Sequence, residues 1–463
     1  MLFLDLPLEI LPEILSHIVK TQHLASLCLV NSAFRTFAVS QLYEKVSIYS
    51  WHKEGKTKVI KLFDTLSRYP YLALLVFRLE IRDFPRAVIY LDDNILRHVL
   101  SGLKNCVNLR SCTWTREGSL NSAILEALLQ CKNLRELELN GHNIGNYDPR
   151  LLLGFTELHR ISLIMPTIPV VSQLIPWLSA TGATLRSLTL LCKASSILTD
   201  RILEAIAPSL VNLEYLNLTG CPKVTNHGVW AIVSSSTKGI LELGLEGVSS
   251  KFDIATFANE CISSGALRRL RSITLTTYFQ VSLLAWVKHV VHLLSASPLE
   301  CFQIYSAGAL LDSPIIDELW SQLIAAHGKR LLRISIHRML ISWEAIHSIC
   351  VQCTGLEQLF LVVDPDFLDQ LGPCLSFAKA LRTIHINYPM ESFVSTFPVI
   401  PPSQALSIIN QCSPTVTQFG CNARVWQVAR TIQVNEDGST QAHRTLVPYE
   451  SPDVPEQFLV VRT

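Results

Sequence analysis

Several stretches of this chain place reactive side chains at spacings that could do chemistry. Residues 50–57, SWHKEGKT, lie between a strand-like run, KVSIY, and a helical run, KVIKLFDTLS. A phosphate-cradling loop of the form GxxxxGK[ST] occupies that position in nucleotide-binding folds. Here its first position is Ser50, Trp51 and His52 crowd the turn, and Glu54 would repel a phosphate, so we read a solvated loop. Cys350 and Cys353 form a CxxC, but on a helical pattern and without a second ligand pair at zinc-finger spacing, which favours core packing. His289 and His292 share one helical pattern and lack acidic or cysteine partners. No HExxH, GxSxG or GxGxxG occurs. Asn217-Leu218-Thr219 is a formal glycosylation sequon, but it falls in a strand pattern of a chain read below as intracellular, and we expect it to be unmodified. No convergent catalytic constellation remains. The expectation is a protein that is not an enzyme and carries no metal or other cofactor.

The elements that would position any binding residue must come from 463 residues with 49% hydrophobic and only 17% charged side chains, enough to bury a large core. Lys plus Arg number 39 and Asp plus Glu 38, a balance that argues against nucleic acid and against a polybasic membrane anchor. The mean hydropathy of +0.31 raises the question of a membrane span. Residues 161–185 and 392–423 are uncharged, but each is broken by prolines, so neither reads as an apolar helix of about 20 residues. The start, MLFLDLPLEILPEIL, has no basic region and carries Asp5, Glu9 and Glu13, unlike a signal peptide. Thirteen singly scattered cysteines suit buried thiols in the cytoplasm or nucleus.

A short phrase then recurs along most of the chain. It runs NLRSCTW (108–114), NLRELEL (133–139), ELHRISL (157–163), TLRSLTL (184–190), NLEYLNL (212–218) and GILELGL (239–245). It continues as RLRSITL (269–275), PLECFQI (298–304), RLLRISI (330–336), GLEQLFL (355–361), ALRTIHI (380–386) and a weaker TVTQFGC (415–421), with an earlier copy at Val76, Leu79 and Ile81. The copies from 108 onward are spaced 24 to 35 residues apart, a period that marks a solenoid. Each phrase alternates apolar and mostly polar residues, as a half-buried strand does. Between phrases lie helical patterns at 122–131, 200–210, 283–294, 315–327 and 343–353, with Asn121, Thr199 and Ser342 where N-caps belong. One strand and one helix per repeat predicts parallel strands with helices on one side. Strands stack about 4.8 Å apart and helices about 8–10 Å, so such an array bends with its strands on the concave face. The pattern resembles the leucine-rich-repeat family in its longer, helix-containing form, over roughly residues 74–423. Residues 212–233 resemble its cysteine-containing subtype.

The repeat does not reach the N-terminus. Pro7 starts a turn, and Pro12 interrupts any continuous helix from 7 to 19 and suits a helix start. Ile14, Leu15 and Ile18 make that helix amphipathic, a second helix at about 22–30 carries Leu24, Leu27, Leu29 and Val30, and a third at about 31–43 starts from Asn31. Three short helices make a very small core, which favours a partner or a neighbouring domain. Leu6-Pro7, Glu9-Ile10, Ile14-Leu15, Leu27, Val30-Asn31, Phe34 and Leu42-Tyr43 resemble the F-box. That resemblance implies that Leu6, Pro7, Ile10, Ile14, Leu27 and Val30 face a Skp-type adaptor of a cullin ligase core. A plain helical cap for an open solenoid is the alternative. The tail, VWQVARTIQV–NEDG–STQAHRTLVPY followed by PEQFLVVRT, predicts a hairpin around Asp437-Gly438 that caps the last strand edge, and it is similar to family members common in mushroom-forming fungi.

The expected architecture is therefore α/β: an F-box over 1–48, a leucine-rich-repeat solenoid over 49–423, and a C-terminal β-hairpin cap over 424–463. The outward strand positions include Glu136, Glu138 and Asn140, then Tyr215, Asn217 and Thr219, then Ser272, Thr274 and Thr276. Gln303, Arg333, Ser335, Gln358, Thr383 and Asn387 follow. Among these, Tyr305, His337, Phe360 and His385 form an aromatic and imidazole stripe expected to bind a protein target. Protonation of His337 and His385 is expected to change that binding below about pH 6.5. Taken together, the resemblance implies a substrate-recognition subunit of a Skp–cullin–F-box ubiquitin ligase. The alternative is a leucine-rich-repeat scaffold or inhibitor that binds a partner without ubiquitin transfer.

Overall fold

A computed structural model describes residues 8–18, 21–85, 93–278, 282–307, 314–389, 400–422, 424–434 and 440–448. The chain divides into two compact units, one up to Leu191 and one from Cys192. Among the described residues no helix is long and apolar enough to cross a membrane.

The first unit opens with a 3-10 turn, Leu8–Ile10, and three helices, α1 (Leu11–Ser16), α2 (Thr21–Leu27) and α3 (Ser32–Glu44). Pro12 sits in the first turn of α1, where its missing N–H costs nothing. The Asn31 side chain accepts a hydrogen bond from the backbone N–H of Phe34 at 2.9 Å and so starts α3 at the position read from the sequence. Leu11, Leu15, Phe34 and Ala38 form the buried core of this bundle, with Ile18, Leu27, Cys28 and Phe37 packed partly against it.

Six strands follow, β1 (Lys45–Ile48), β2 (Arg78–Ile81), β3 (Ser111–Trp114), β4 (Glu136–Asn140), β5 (Arg160–Ile164) and β6 (Ser187–Leu191), each parallel to the next. Register places Leu79 beside Cys112, Leu137 and Ile161 in turn, so one row of apolar side chains runs across the strands. Helix α4 (Gly55–Arg68) packs on the helix Asp93–Asn105, which packs on Ser122–Leu129. Farther on, prolines shorten the intervening segments to a 3-10 turn at Pro149–Gly154 and helices at Ile168–Val171 and Leu174–Thr181. Asparagines that begin the repeat phrase tie repeats together: Asn108 Nδ2 donates to Leu74 O at 2.8 Å, and Asn133 Nδ2 to Val107 O at 3.0 Å.

The second unit continues the same plan with β7 (Tyr215–Thr219), β8 (Glu242–Glu246), β9 (Ser272–Tyr278), β10 (Cys301–Ala307), β11 (Arg333–His337), β12 (Gln358–Val362), β13 (Thr383–Asn387) and β14 (Gln418–Cys421), all parallel. Every one of the twelve sequence phrases thus contributes a strand. Helices at Asn226–Ser235, Ile254–Ser264, Leu283–Leu294, Pro314–His327, Trp343–Gln352, Leu368–Leu375 and Pro402–Gln411 pack on one another in order. Phe302, Ile334, Leu359, Ile384 and Phe419 have no exposed surface and line up strand to strand, forming the apolar spine of the unit.

The parallel run stops at β14. There β15 (Arg424–Val434) pairs antiparallel and β16 (Thr440–Pro448) folds back on β15, so the hairpin covers the last parallel edge. Arg444 donates to the carbonyls of Ile409 and Cys412 and fastens the hairpin to the final helix. The Asp437-Gly438 turn and the stretch 455–463 lie outside the described residues.

Caps read from sequence differ in what they do. Asn121 and Ser342 accept from Ile124 N at 2.9 Å and Ala345 N at 3.1 Å, whereas Thr199 makes no side-chain cap bond. Replacing Asn31 or Asn121 with Ala should each cost about 1 kcal/mol in chemical denaturation, and Thr199→Ala a few tenths at most. Equal losses at all three positions would contradict this assignment.

Candidate functional site

Two surfaces carry the residues singled out by the sequence. The first is on the N-terminal helices. Leu11 and Leu15 point into the bundle, which leaves Ile10 38% exposed ahead of α1 and Ile14 half-buried. Helix α2 ends at Leu27, and the turn Cys28–Leu29–Val30 is held by backbone bonds from Cys28 N to Leu24 O and from Val30 N to Leu27 O. This turn carries Leu29 and Val30 into solvent, 87% and 59% exposed. The second helix is therefore shorter than the sequence suggested, and Leu27 packs partly against the module's own core. Leu29, which the resemblance did not assign, is the most exposed apolar side chain among the described residues of the segment. Its signal was present in the sequence, since a helix that must stop before the Asn31 cap leaves the residues just ahead of it in a turn. Leu6 and Pro7 lie outside the described residues.

The second surface is the strand face of the second unit. Alternation sends Phe302, Ile304, Ile334, Ile336, Leu359 and Ile384 into the core, so the residues between them lie on the other side. Four of these form the expected stripe, and the structure pairs them. Tyr305 stacks on His337 across β10 and β11, with ring centres 4.5 Å apart and planes 15° from parallel. Phe360 stacks on His385 across β12 and β13 at 5.9 Å and 21°. Gly420 on β14 makes room for the second pair, because a Cβ there would meet His385 Nδ1. Arg333 bridges the pairs. Its guanidinium lies over the Phe360 ring at 5.0 Å, its Nε donates to Ser335 Oγ at 3.0 Å and an Nη donates to Gln303 Oε1 at 3.4 Å. Gln303 Nε2 in turn donates to the Tyr305 hydroxyl at 2.8 Å. The result is a continuous path of side chains from β10 to β13.

Exposure within the stripe differs from expectation. Phe360 is 5% and His337 6% exposed, whereas Tyr305 and His385 are half-buried. Rings on neighbouring strands cover one another, so the stripe presents edges and flanks rather than free anchors. Burial, with the Arg333 and His385 charges, pushes the His337 imidazole down to about 3. His337 therefore stays neutral near pH 6.5, which overturns the expectation that its protonation tunes binding there. Its depressed value adds stability above 6.5 that is lost only as pH falls toward 3.

Glu246, at the end of β8, behaves in the opposite sense. Burial raises its carboxyl to about 7, partly offset by Arg338, which follows β11 in the left-handed region at φ 56°. The Glu246 carboxyl also adds to burial in holding the Tyr305 hydroxyl in its protonated form.

The strand face of the first unit is different in kind, because it carries ion pairs between repeats. Lys45 meets Glu80 at 3.0 Å and Tyr49 donates to the same carboxylate at 2.8 Å, while Arg82, almost fully buried, grips Glu138 at 2.9 Å. Glu136 and Asn140 flank that pair on β4.

The other chemistry-bearing motifs resolve into structure. Glu54 precedes α4 at φ 58°, and Tyr49 and Trp51 stack at 4.6 Å around the turn. A Cβ at Gly55 would lie 3.0 Å from an Asp83 carboxylate oxygen, so the protein's own carboxylate occupies the space beside that helix start. Cys350 and Cys353 are buried on the helix Trp343–Gln352 and at its end, and burial pushes the Cys353 thiol up to about 12, away from the thiolate that a metal requires. Among the described residues no group of three or more His, Cys, Asp or Glu could hold a metal ion.

Residues 3–49 match the F-box-like family. A comparison with curated proteins found no match. Among solved structures, the chain is similar to an internalin from Listeria monocytogenes at 13% identity and TM-score 0.34, over 75% of this chain and 90% of the other. It is also similar to the Rad7 and Elc1 complex in yeast at 14% identity and TM-score 0.42, over 76% and 93%.

Glu246 and His337 give a paired test. The gap between 4.5 and about 7 for Glu246 corresponds to roughly 3 kcal/mol at most. A raised carboxyl contributes stability fully present below 4.5 and lost as pH rises through 7. Thermal unfolding of Glu246→Gln should show a gain over the parent at pH 8 and none at pH 4. Imidazole NMR should find His337 neutral throughout the range where a free histidine titrates.

Proposed function

We propose that this chain is the substrate-recognition subunit of a Skp–cullin–F-box ubiquitin ligase. The observation that carries the reading is the pair of apolar side chains, Leu29 and Val30, held out in solvent by a segment that matches the F-box-like family. A module with five buried apolar side chains among its described residues gains little from displaying leucine to water, and burying such a side chain against a partner is worth about 1.5–3 kcal/mol. The adaptor-facing set is Leu6, Pro7, Ile10, Ile14, Leu27 and Val30, to which we add Leu29. The cullin core joins through that adaptor.

The repeats then supply the target surface, with Tyr305, His337, Phe360 and His385 as its centre. The chain contributes proximity rather than a nucleophile. Holding a target beside a charged conjugating enzyme raises the effective concentration of its lysines, and the rate gain comes from that confinement. Such a subunit acts in the cytoplasm or nucleus, where the rest of the ligase resides.

The test is binding of the full chain to a purified Skp-type adaptor. Ile10→Asp with Val30→Asp should weaken it by at least about thirtyfold, as loss of two interface anchors does, while circular dichroism shows the helices and strands intact. Adaptor binding that is unaffected by the double substitution would favour a scaffold or inhibitor whose N-terminal helices only cap the array.

A further inference from the structure

The charges on the strand faces single out Arg333. In the first unit Lys45 pairs with Glu80 and the buried Arg82 with Glu138. In the second unit, Arg269, Arg271 and Arg382 each meet a glutamate, Glu214, Glu300 and Glu357. Among the described residues Arg333 has no carboxylate within ion-pair distance. Glu242, whose charge reaches it, has an oxygen occupied by Asn217 Nδ2 at 2.8 Å. Arg333 is half-buried, and a guanidinium carries five N–H donors. Two are taken, by Ser335 and Gln303, and one flat side lies on Phe360. The arrangement fixes the orientation of the group without neutralising it. Holding a desolvated cation this way is costly unless an anion arrives.

We infer that Arg333 receives a carboxylate side chain, Asp or Glu, from an extended acidic segment of the target protein lying on the strand face of β10–β13. The inference rests on the reading of that face as the target surface. Charge count selects a monoanion over a phosphate ester. A phosphate near neutral pH carries nearly two charges and wants a second cation. Arg338 lies beyond the far end of β11, five residues or about 16 Å of extended strand from Arg333, and His337 lies stacked and neutral against Tyr305. The stacked pairs on either side of Arg333 leave planar walls, which suit a planar carboxylate and the extended backbone behind it.

The experiment uses the full chain and a displayed library of random, unphosphorylated short peptides. The parent should enrich Asp and Glu. Arg333→Gln should lose that enrichment and bind the selected peptide roughly ten- to a hundredfold more weakly, the range for a hydrogen bond to a charged group. Arg333→Glu should switch the preference to Lys and Arg. Arg333→Lys should keep the acidic preference at reduced affinity, because it retains the charge but not the planar fork, and it guards against mistaking misfolding for lost recognition. Acidic enrichment that Arg333→Gln leaves unchanged overturns the proposal. So does tenfold tighter binding when phosphoserine replaces the acid. Enrichment of non-acidic peptides that Tyr305→Ala abolishes overturns the carboxylate and keeps the face as a receptor. If the parent enriches nothing while still binding the adaptor, both the carboxylate and the target face fall and the adaptor role stands.

Discussion

Parallel strands that repeat the same alternation cannot slip by one residue against each other without turning their cores outward. Strands of the second unit put a leucine, isoleucine or phenylalanine next to the corresponding residue of the neighbour, as Ile334, Leu359, Ile384 and Phe419 do. A slip of one residue would carry Arg333, Gln358 and Thr383 into a dry core and leave the spine in water. The penalty is far larger than any single contact, since truncating one such core residue already costs about 2–5 kcal/mol. Register therefore decides which side chains face outward, and the outer face is a by-product of the way the core is secured. Tyr305 lies beside His337 because Ile304 lies beside Ile336.

The N-terminal helices obey a different economy. Their buried set among the described residues is Leu11, Leu15, Leu24, Phe34 and Ala38, a small core for three helices. Apolar residues that a longer array would have absorbed remain outside, at Ile10, Leu29 and Val30. One end of the chain thus exposes hydrocarbon because its core is small. The strand face exposes polar and aromatic flanks because its core is large and regular.

Most of this architecture was legible in the sequence where one physical period dominated. The two-residue alternation located all the repeat strands, and the helices at Leu283–Leu294 and Trp343–Gln352 were visible from their apolar faces. Legibility failed between Pro149 and Thr181, where prolines break the helical period and the chain settles for a 3-10 turn and two short helices. The stripe was legible as positions but not as exposure. Whether Phe360 is open or covered depends on Arg333 and His385, which lie about a repeat away on either side, and no single phrase encodes that lateral packing. For the same reason Arg333 could be placed on the outer face from its own repeat, whereas its lack of a carboxylate partner emerged only once β8 through β13 were assembled. Leu29 was hidden by a smaller effect, the exact point at which α2 gives way to the turn before Asn31.

The switch from parallel to antiparallel pairing at β14 also constrains how such a chain can lengthen over generations. A duplicated strand–helix unit inserted upstream finds two compatible neighbours and joins the ladder. The same unit appended after β16 would have to switch pairing mode a second time. Copying therefore meets less resistance ahead of β14 than beyond the hairpin, and the number of modules ahead of it is freer to drift.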